Sequence, residues 1–244
     1  MNKTSLYHCT NYESLCSILS SKAFWPSYCY EKADYLPKPE CFAFAMVCFA
    51  DLFKVELKPH LKKFNKDCFL QMSKDWAKTK GLSNVIYYNK GSVISVSFSG
   101  IINEFIKRAN NQEPEKVSKE YDYKCINMMI AYFKQYEGSY WNDPKGSWSE
   151  KTTQFYTERE WRYVPIVKSR EAYYLGPEDF LNKDYRKKKR DELIKNGYTL
   201  TFDWNDIEQI GVSSFKQWIS ICRYLINVRK YSPIEVMKKV SIVI

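Results

Sequence analysis

A nearly continuous apolar segment at residues 41–52, broken only by Asp51, places the strongest constraint on how this chain folds. Such a segment has to be buried, and its length allows either a buried strand or a short helix. No stretch of the chain approaches the roughly 18 consecutive apolar residues that a membrane-spanning helix needs. The N-terminus also lacks the apolar region of a signal peptide. We therefore expect a soluble, cytoplasmic protein with no membrane partner.

The charge of the chain favours a polyanionic partner. The 244 residues carry a formal net charge of +10, and the pI is near 9.0. Basic surfaces attract nucleic acids because neutralising phosphates releases counterions, although solubility alone also explains such a charge. Aromatic residues make up 17% of the sequence, and their rings can pack in a core, stack on bases or hold a nicotinamide.

The cysteines do not indicate a metal site. Eight of them are scattered along the chain, and no two have the C-x₂-C spacing of a zinc site. Several lie in apolar segments, which is typical of small buried side chains in a reducing compartment. Motifs of P-loop NTPases, zinc proteases and serine hydrolases are also missing from the sequence. We expect no bound metal.

The hydrophobic spacing alternates between helical and strand periods, which predicts an α+β fold in a single domain over residues 1–244. Thr10 and Glu13 have the spacing of a capping box, so Thr10 is the expected N-cap of the first helix. Prolines and aromatics at residues 25–40 indicate an extended loop. A strand leading into a short helix is predicted at 66–78, strands at 5–9, 85–88, 155–167, 206–212 and 240–244, helices at 93–108, 122–135 and 213–229, and a polar loop at 137–152. Residues 170–244 form a basic C-terminal part of the same domain.

Two glutamates stand out at the start of the strand predicted after the polar loop. Side chains alternate between the faces of a strand, so Glu158, Glu160 and Arg162 are expected on one face and Arg159 and Trp161 on the other. The rise per residue places the two carboxylates about 7 Å apart. Such a pair can perform acid–base chemistry or stabilise a sugar cation, and in a partly buried site repulsion would keep a proton on one of them. A solvated edge strand with surface ion pairs explains the same pattern.

Other candidate binding residues lie outside this strand. His8, at the end of the first predicted strand, can donate a hydrogen bond to a ribose or amide oxygen, or simply pack. Tyr28 and Tyr88 are among the tyrosines that can stack on a nicotinamide or a base, although packing explains most such rings. A run of five basic side chains, expected to begin a helix, can bind phosphates or form a solvated helix face. These are Arg186, Lys187, Lys188, Lys189 and Arg190.

Several segments together resemble the AbiGi family of abortive phage-resistance proteins. The matching segments are residues 7–10, 41–51, 74–76, 85–88 and 155–165, and the last is the most specific. The resemblance covers about residues 5–170 and implies a role in phage defence. The family's description as an antitoxin implies a binding protein and speaks against an enzyme.

More remotely, the order of these segments is similar to that of the DarT-like ADP-ribosyltransferases, which carry a His-x-Thr on the first strand and a Glu opening a late strand. This similarity implies a mixed split sheet with flanking helices. It implies that His8 and Thr10 contact NAD⁺, that Glu160 is the catalytic carboxylate, and that Glu158 helps to position the acceptor. Residues 51–54 depart from that pattern, which has an arginine there, so no residue is assigned to the NAD⁺ phosphates.

The residues and the similarity together predict an ADP-ribosyltransferase toxin that transfers ADP-ribose from NAD⁺ to a base in RNA or DNA. A carboxylate beside the nicotinamide ribose would stabilise the oxocarbenium charge without a metal. Tyr28, Tyr88 and Arg162 are further candidates for binding NAD⁺, residues 186–190 for binding the nucleic acid, and an inhibitory antitoxin would be the protein partner. The alternatives are a non-catalytic antitoxin or nucleic-acid-binding protein of an abortive infection system, and a nuclease that uses the carboxylates with Mg²⁺.

Overall fold

The computed structural model describes residues 3–36, 40–110, 119–167 and 173–243, which form interleaved strands and helices. The strands are β1 Ser5–Thr10, β2 Ala23–Phe24, β3 Ser27–Ala33, β4 Glu40–Leu52, β5 Cys68–Met72, β6 Ser83–Asn84, β7 Ile86–Tyr88, β8 Phe133–Gln135, β9 Glu137–Gly138, β10 Trp141–Asn142, β11 Ser147–Trp148, β12 Thr153–Gln154, β13 Trp161–Tyr163, β14 Tyr174–Leu175, β15 Leu200–Thr201, β16 Ile207–Val212 and β17 Val240–Ile242. The helices are α1 Tyr12–Ser21, α2 Lys54–Lys63, α3 Lys74–Thr79, α4 Val93–Asn110, α5 Lys119–Ala131, α6 Pro177–Leu181, α7 Lys183–Lys195, α8 Phe215–Arg223 and α9 Pro233–Lys239. Short 3₁₀ turns cover Phe155–Glu158 and Trp204–Asp206, and a π-helical turn covers Tyr224–Val228.

The long strand β4 lies at the centre of a nine-stranded mixed sheet. Seven strands follow the order β17, β16, β5, β1, β4, β13 and β6, and β3 and β14 also pair with β4. Strands β16 and β17 are parallel, whereas β4 is antiparallel to each of its neighbours. The predicted mixture of helices and strands around a mixed sheet is confirmed. The ADP-ribosyltransferase identity of the fold stays a prediction.

The apolar segment at residues 41–52 forms β4, so the short-helix alternative is wrong. Its side chains at 43–47 and 49–52 are buried without alternation, because both faces of the strand are covered. Asp51, the one acidic residue of the segment, is 8% exposed and accepts a hydrogen bond from Lys74 Nζ at 2.9 Å. This pairing allows a carboxylate to lie in an apolar strand.

Two large clusters of buried side chains hold the sheet and helices together. In the first, the predicted stripe of Leu15, Ile18 and Leu19 on α1 packs with Leu70 of β5 and Ile210 of β16. The second surrounds β3 and β4 and includes side chains from α4, α5 and α7. The stripe on α1 is therefore confirmed as core-facing.

The start of α1 differs from the capping-box prediction. Asn11 is the N-cap, and its side chain accepts a hydrogen bond from the backbone N–H of Ser14 at 2.8 Å. Thr10 is the last residue of β1, where it pairs with Cys68. Because the strand continues through Thr10, the helix begins one residue later than the pattern indicates.

Three further segment predictions are corrected. Part of the loop predicted at 25–40 is the strand β3, which pairs with β4 from Ser27 opposite Met46 to Ala33 opposite Glu40. The strand predicted at 155–167 begins with a 3₁₀ turn, and β13 covers only Trp161–Tyr163. The polar loop at 137–152 contains the short strands β9, β10 and β11, which pair with later strands or with one another.

The described helices contain none that is long and apolar enough to cross a membrane. All eight cysteines are free thiols. Cys68 and Cys222 are buried as expected, whereas Cys125 is exposed, so burial explains only part of the cysteine content.

Candidate functional site

The side chains of Glu158 and Glu160 meet at Lys134, but a backbone turn and not strand alternation brings them together. Glu158 ends the 3₁₀ turn, and the next residue, Arg159, has a left-handed backbone with φ of 45°. This conformation is unfavourable for a residue with a Cβ. Contacts of the Arg159 side chain hold it in place: Nε donates to the Asp51 carbonyl at 2.6 Å, and the guanidinium pairs with Glu56.

Both carboxylate oxygens of Glu160 are bound by cations. Oε1 accepts a hydrogen bond from Arg162 Nε at 2.8 Å, and Oε2 accepts one from the ammonium group of Lys134. Glu160 is only 4% exposed, and Arg162 is fully buried. The guanidinium of Arg162 also donates to Glu31 at 2.5 Å and to the carbonyl of Ala131.

These residues belong to a larger group, the ionic cluster, in which three carboxylates face three cations. Its members are Glu31, Glu158, Glu160, Lys63, Lys134 and Arg162. Lys134 Nζ lies 3.7 Å from Glu31 and 3.6 Å from Glu158 in addition to its bond with Glu160. Lys63 Nζ lies 3.2 Å from the other oxygen of Glu158. The formal charges of the ionic cluster therefore balance.

The ionic cluster keeps Glu160 ionised. Burial alone raises the pKa of this carboxyl, but the charges of Arg162 and Lys134 and their hydrogen bonds outweigh burial and hold the pKa well below its usual range. Burial likewise disfavours the charged form of Lys134, yet Glu160, Glu158 and Glu31 raise its pKa well above the usual value. The predicted repulsion between the two glutamates therefore does not place a proton on Glu160, because two cations outweigh the second carboxylate.

A cleft of about 560 Å³ opens beside the ionic cluster, and we call it the aromatic cleft. It is lined by residues of β3, of the β10–β11 pair, of α6 and of α7. Its aromatic side chains include Tyr30, Trp141, Trp148 and Phe180, and its basic side chains include Lys32, Lys183, Arg186, Lys187 and Arg190. A second cleft of about 360 Å³ contains Glu160 and His60, and Glu31, Lys134 and Glu158 line both clefts.

His8 is a packed side chain in the structure. Its ring lies edge-on to Phe24 at a centroid distance of 4.9 Å, and Nδ1 donates a hydrogen bond to the Cys48 carbonyl at 3.0 Å. Burial lowers its pKa to about 4, so the ring is neutral at physiological pH. His8 does not line either cleft, in agreement with the packing alternative.

The other residues predicted to bind NAD⁺ are dispersed. Thr10 is 6% exposed within β1, and Tyr88 is 2% exposed with its hydroxyl donating to Asp34 at 2.8 Å. Arg162 lies inside the ionic cluster, and Tyr28 lines the aromatic cleft. The structure therefore does not bring these side chains into one pocket, and their contact with NAD⁺ stays a prediction.

The five basic side chains at residues 186–190 lie on different faces of the helix α7. Arg186, Lys187 and Arg190 line the aromatic cleft, whereas Lys188 is exposed and points elsewhere. Arg186 binds Asp143 with both terminal nitrogens at 2.9 Å. Lys189 pairs with Glu192 at 3.1 Å. The five basic side chains therefore do not share one surface, and their contact with nucleic acid stays a prediction.

Sequence reasoning missed the partners of the two glutamates. Lys134 lies in β8 and Glu31 in β3, far along the chain from residues 158–162, and neither stands in a local motif. The paired tryptophans Trp141 and Trp148 lie in a segment that sequence patterns describe only as a polar loop. Their spacing around a turn is the one signal that could have placed both rings together.

No group of three or more His, Cys, Asp or Glu side chains in the described part of the chain is arranged to hold a metal ion. The nuclease alternative requires such a set of acidic ligands. Glu158 and Glu160 are instead bound by lysine and arginine side chains.

Residues 22–213 match the model of a family described as abortive phage resistance protein AbiGi, antitoxin. No match is found among curated proteins or among solved structures. The match confirms the resemblance to this family, whereas the remote similarity to DarT-like enzymes is not confirmed. It also overturns the main functional prediction, because an antitoxin counteracts a toxin and is not the ADP-ribosyltransferase toxin that the sequence motifs suggested.

Proposed function

Because the chain belongs to the AbiGi family of abortive phage resistance antitoxins, we propose that it neutralises a toxin by binding it, without catalysing a reaction. The state of Glu160 supports this proposal most directly. A carboxylate that stabilises a cationic transition state has to present an oxygen to the substrate. Both oxygens of Glu160 are already bound by Lys134 and Arg162, and the side chain is 5% exposed.

Freeing Glu160 for catalysis would be costly. Lys134 and Arg162 would each have to leave a buried partner, and breaking one buried ion pair costs about 3–5 kcal/mol. The neutral, closed arrangement of the ionic cluster is instead suited to fixing β3, β8 and β13 relative to one another. We therefore assign the cluster a structural role in the antitoxin.

The partner is a toxin with an acidic contact surface. A chain with a formal charge of +10 associates fastest with a surface of opposite charge, because long-range attraction steers the encounter. This electrostatic contribution falls as ionic strength rises. The complex should therefore form more slowly in high salt.

Growth assays test the antitoxin proposal. The chain is expressed alone in bacteria and then together with the protein encoded by the neighbouring reading frame, which serves as the toxin probe. We expect no growth arrest from the chain alone, arrest from the probe alone, and recovery with a stoichiometric complex when both are present. Glu160→Gln, expressed at a temperature where it remains folded, should restore growth as the wild type does.

Two outcomes would contradict the proposal. The first is growth arrest by the chain alone that disappears in Glu160→Gln. The second is a folded Glu160→Gln protein that still binds the probe but no longer restores growth. Either result would show that the carboxylate acts chemically.

A further inference from the structure

The aromatic cleft is built to recognise a ligand with a flat ring and a phosphate, and we infer that it binds a nucleotide, either free or within a single strand of nucleic acid. Its volume of about 560 Å³ lies in the usual range of small-molecule sites, about 300–1,000 Å³. The inference goes beyond the antitoxin function and does not depend on it.

The aromatic side of the cleft already forms a stack. Tyr30 is parallel to Phe180, with ring centroids 4.3 Å apart and planes inclined by 11°. Trp148 lies 5.5 Å from Tyr30 at an inclination of 25°. Trp141 meets Trp148 edge-on, at 5.5 Å and 74°. Both tryptophans are half-buried and line the cleft, so a base can contact the ring of Trp141 or take the place of the Lys32 ammonium group over Trp148.

The basic side of the cleft provides cations for a phosphate. Lys183, Lys187 and Arg190 recur at the i, i+4 and i+7 spacing that places side chains on one face of α7, and all three line the cleft. Lys183 and Lys187 are exposed and make no ion pair within the described ranges. The nearby carboxylate of Asp143 forms its ion pair with Arg186, while Lys183 acts on it only through longer-range attraction.

The combination of rings and cations favours a nucleotide over an acidic peptide. Lys32 Nζ lies 4.4 Å from the ring centre of Trp148, and the Arg186 guanidinium lies 4.3 Å from that of Phe180. A cation therefore lies over the ring at each end of the stack. An acidic peptide would use the cations but leave the rings without a flat partner, whereas a nucleotide uses both.

Calorimetry and tryptophan fluorescence on the full chain test this site, with AMP and a short single-stranded oligoadenylate as probes. The variant Lys183→Gln/Lys187→Gln removes two cleft lysines. The matched control, Lys188→Gln/Lys195→Gln, removes two exposed lysines of the same helix that do not line the cleft. We expect the cleft variant to weaken binding about tenfold or more, because it removes two charge-assisted contacts to the phosphate. The control should leave binding within about twofold.

The stacking contribution is measured separately at Trp148. Trp148→Ala should weaken binding about tenfold, and Trp148→Phe should recover much of the loss, because an aromatic ring of either type can stack on a base. Equal affinity for AMP and the oligonucleotide identifies a free nucleotide as the ligand, and tighter binding of the oligonucleotide identifies a strand. Binding of neither probe, equal weakening by both lysine variants, or displacement of the nucleotide by a hexaglutamate peptide at the same concentration would overturn the inference.

Discussion

Replacing Glu160 by Gln is the most direct perturbation of the ionic cluster. The substitution keeps the size of the side chain and removes one negative charge next to the fully buried Arg162. Arg162 would retain its contact with Glu31, and Lys134 would retain Glu31 at 3.7 Å and Glu158 at 3.6 Å. One positive charge would then be uncompensated in a buried environment.

The expected loss of stability follows from this geometry. Removing one partner of a buried ion pair costs about 3–5 kcal/mol. Because Glu31 and Glu158 still compensate part of the charge, we expect the lower end, about 3 kcal/mol. In a chain of this length, where each kcal/mol shifts Tm by about 2–4 °C, the midpoint of thermal unfolding should fall by about 10 °C.

Urea unfolding followed by tryptophan fluorescence measures this loss at neutral pH. The midpoint concentration should fall while the dependence of the free energy on urea stays constant, since the folded structure is unchanged. Glu150→Gln is the matched control, because the same chemical change is made at an exposed glutamate and should shift stability by less than about 0.5 kcal/mol.

A double variant separates loss of charge balance from loss of packing. Lys134→Met/Glu160→Leu removes one cation and one carboxylate together, and it leaves the pairs Arg162–Glu31 and Lys63–Glu158 in place. It should therefore be more stable than Glu160→Gln, because replacing a whole buried pair by apolar groups is often nearly neutral. Our reasoning is refuted if Glu160→Gln is as stable as its control, or if the double variant is the less stable of the two.

Two other predictions concern the packing around β1 and β16. Burial lowers the pKa of His8 from 6.5 in the unfolded chain to about 4 in the folded protein. The unfolded chain therefore takes up a proton first as the pH falls, so the free energy of unfolding decreases between pH 6.5 and pH 4. Acidification to about pH 5 should cost about 2 kcal/mol through His8, and His60, whose pKa burial also lowers to about 4, adds a loss of its own. His8→Asn, which keeps a donor for the Cys48 carbonyl, should remove only the His8 share in urea titrations. A Cβ on Gly211 would lie 2.0 Å from the ring of Phe69. Gly211→Ala should therefore cost about 1–3 kcal/mol, whereas Gly100→Ala, in open space on α4, should be neutral or stabilising in the same unfolding assay.

Much of the fold could be predicted because its elements carry local signals. The apolar segment at 41–52, broken only by Asp51, indicates a buried element, and the spacing of Leu15, Ile18 and Leu19 indicates a core-facing helix. The strand β3 was missed because it lies between prolines and mixes polar with aromatic residues. Its strand conformation depends on pairing with β4, and such long-range pairing leaves no local pattern.

Only part of the candidate site could be predicted, because its other residues come from distant parts of the chain. Glu158, Glu160 and Arg162 are close in sequence, so their proximity could be predicted even though the turn at Arg159 could not. Lys134 and Glu31 reach them from β8 and β3, and the charge state of Glu160 depends on Lys134 as well as on Arg162. The sequence therefore predicted a pair of glutamates available for catalysis, because their cationic partners Lys134 and Lys63 lie far from them along the chain.

The ionic cluster and the aromatic cleft are mechanically connected through β3. Arg162 of β13 binds Glu31 of β3. Tyr30, the residue before Glu31 in β3, is the central ring of the stack with Phe180 and Trp148. Because the fully buried Arg162 holds Glu31 in one position, the cluster restrains the neighbouring Tyr30 and hence the stack. Residues that resemble a catalytic motif thus hold β3, whose Tyr30 lies in the wall of the cleft that we propose as a binding site.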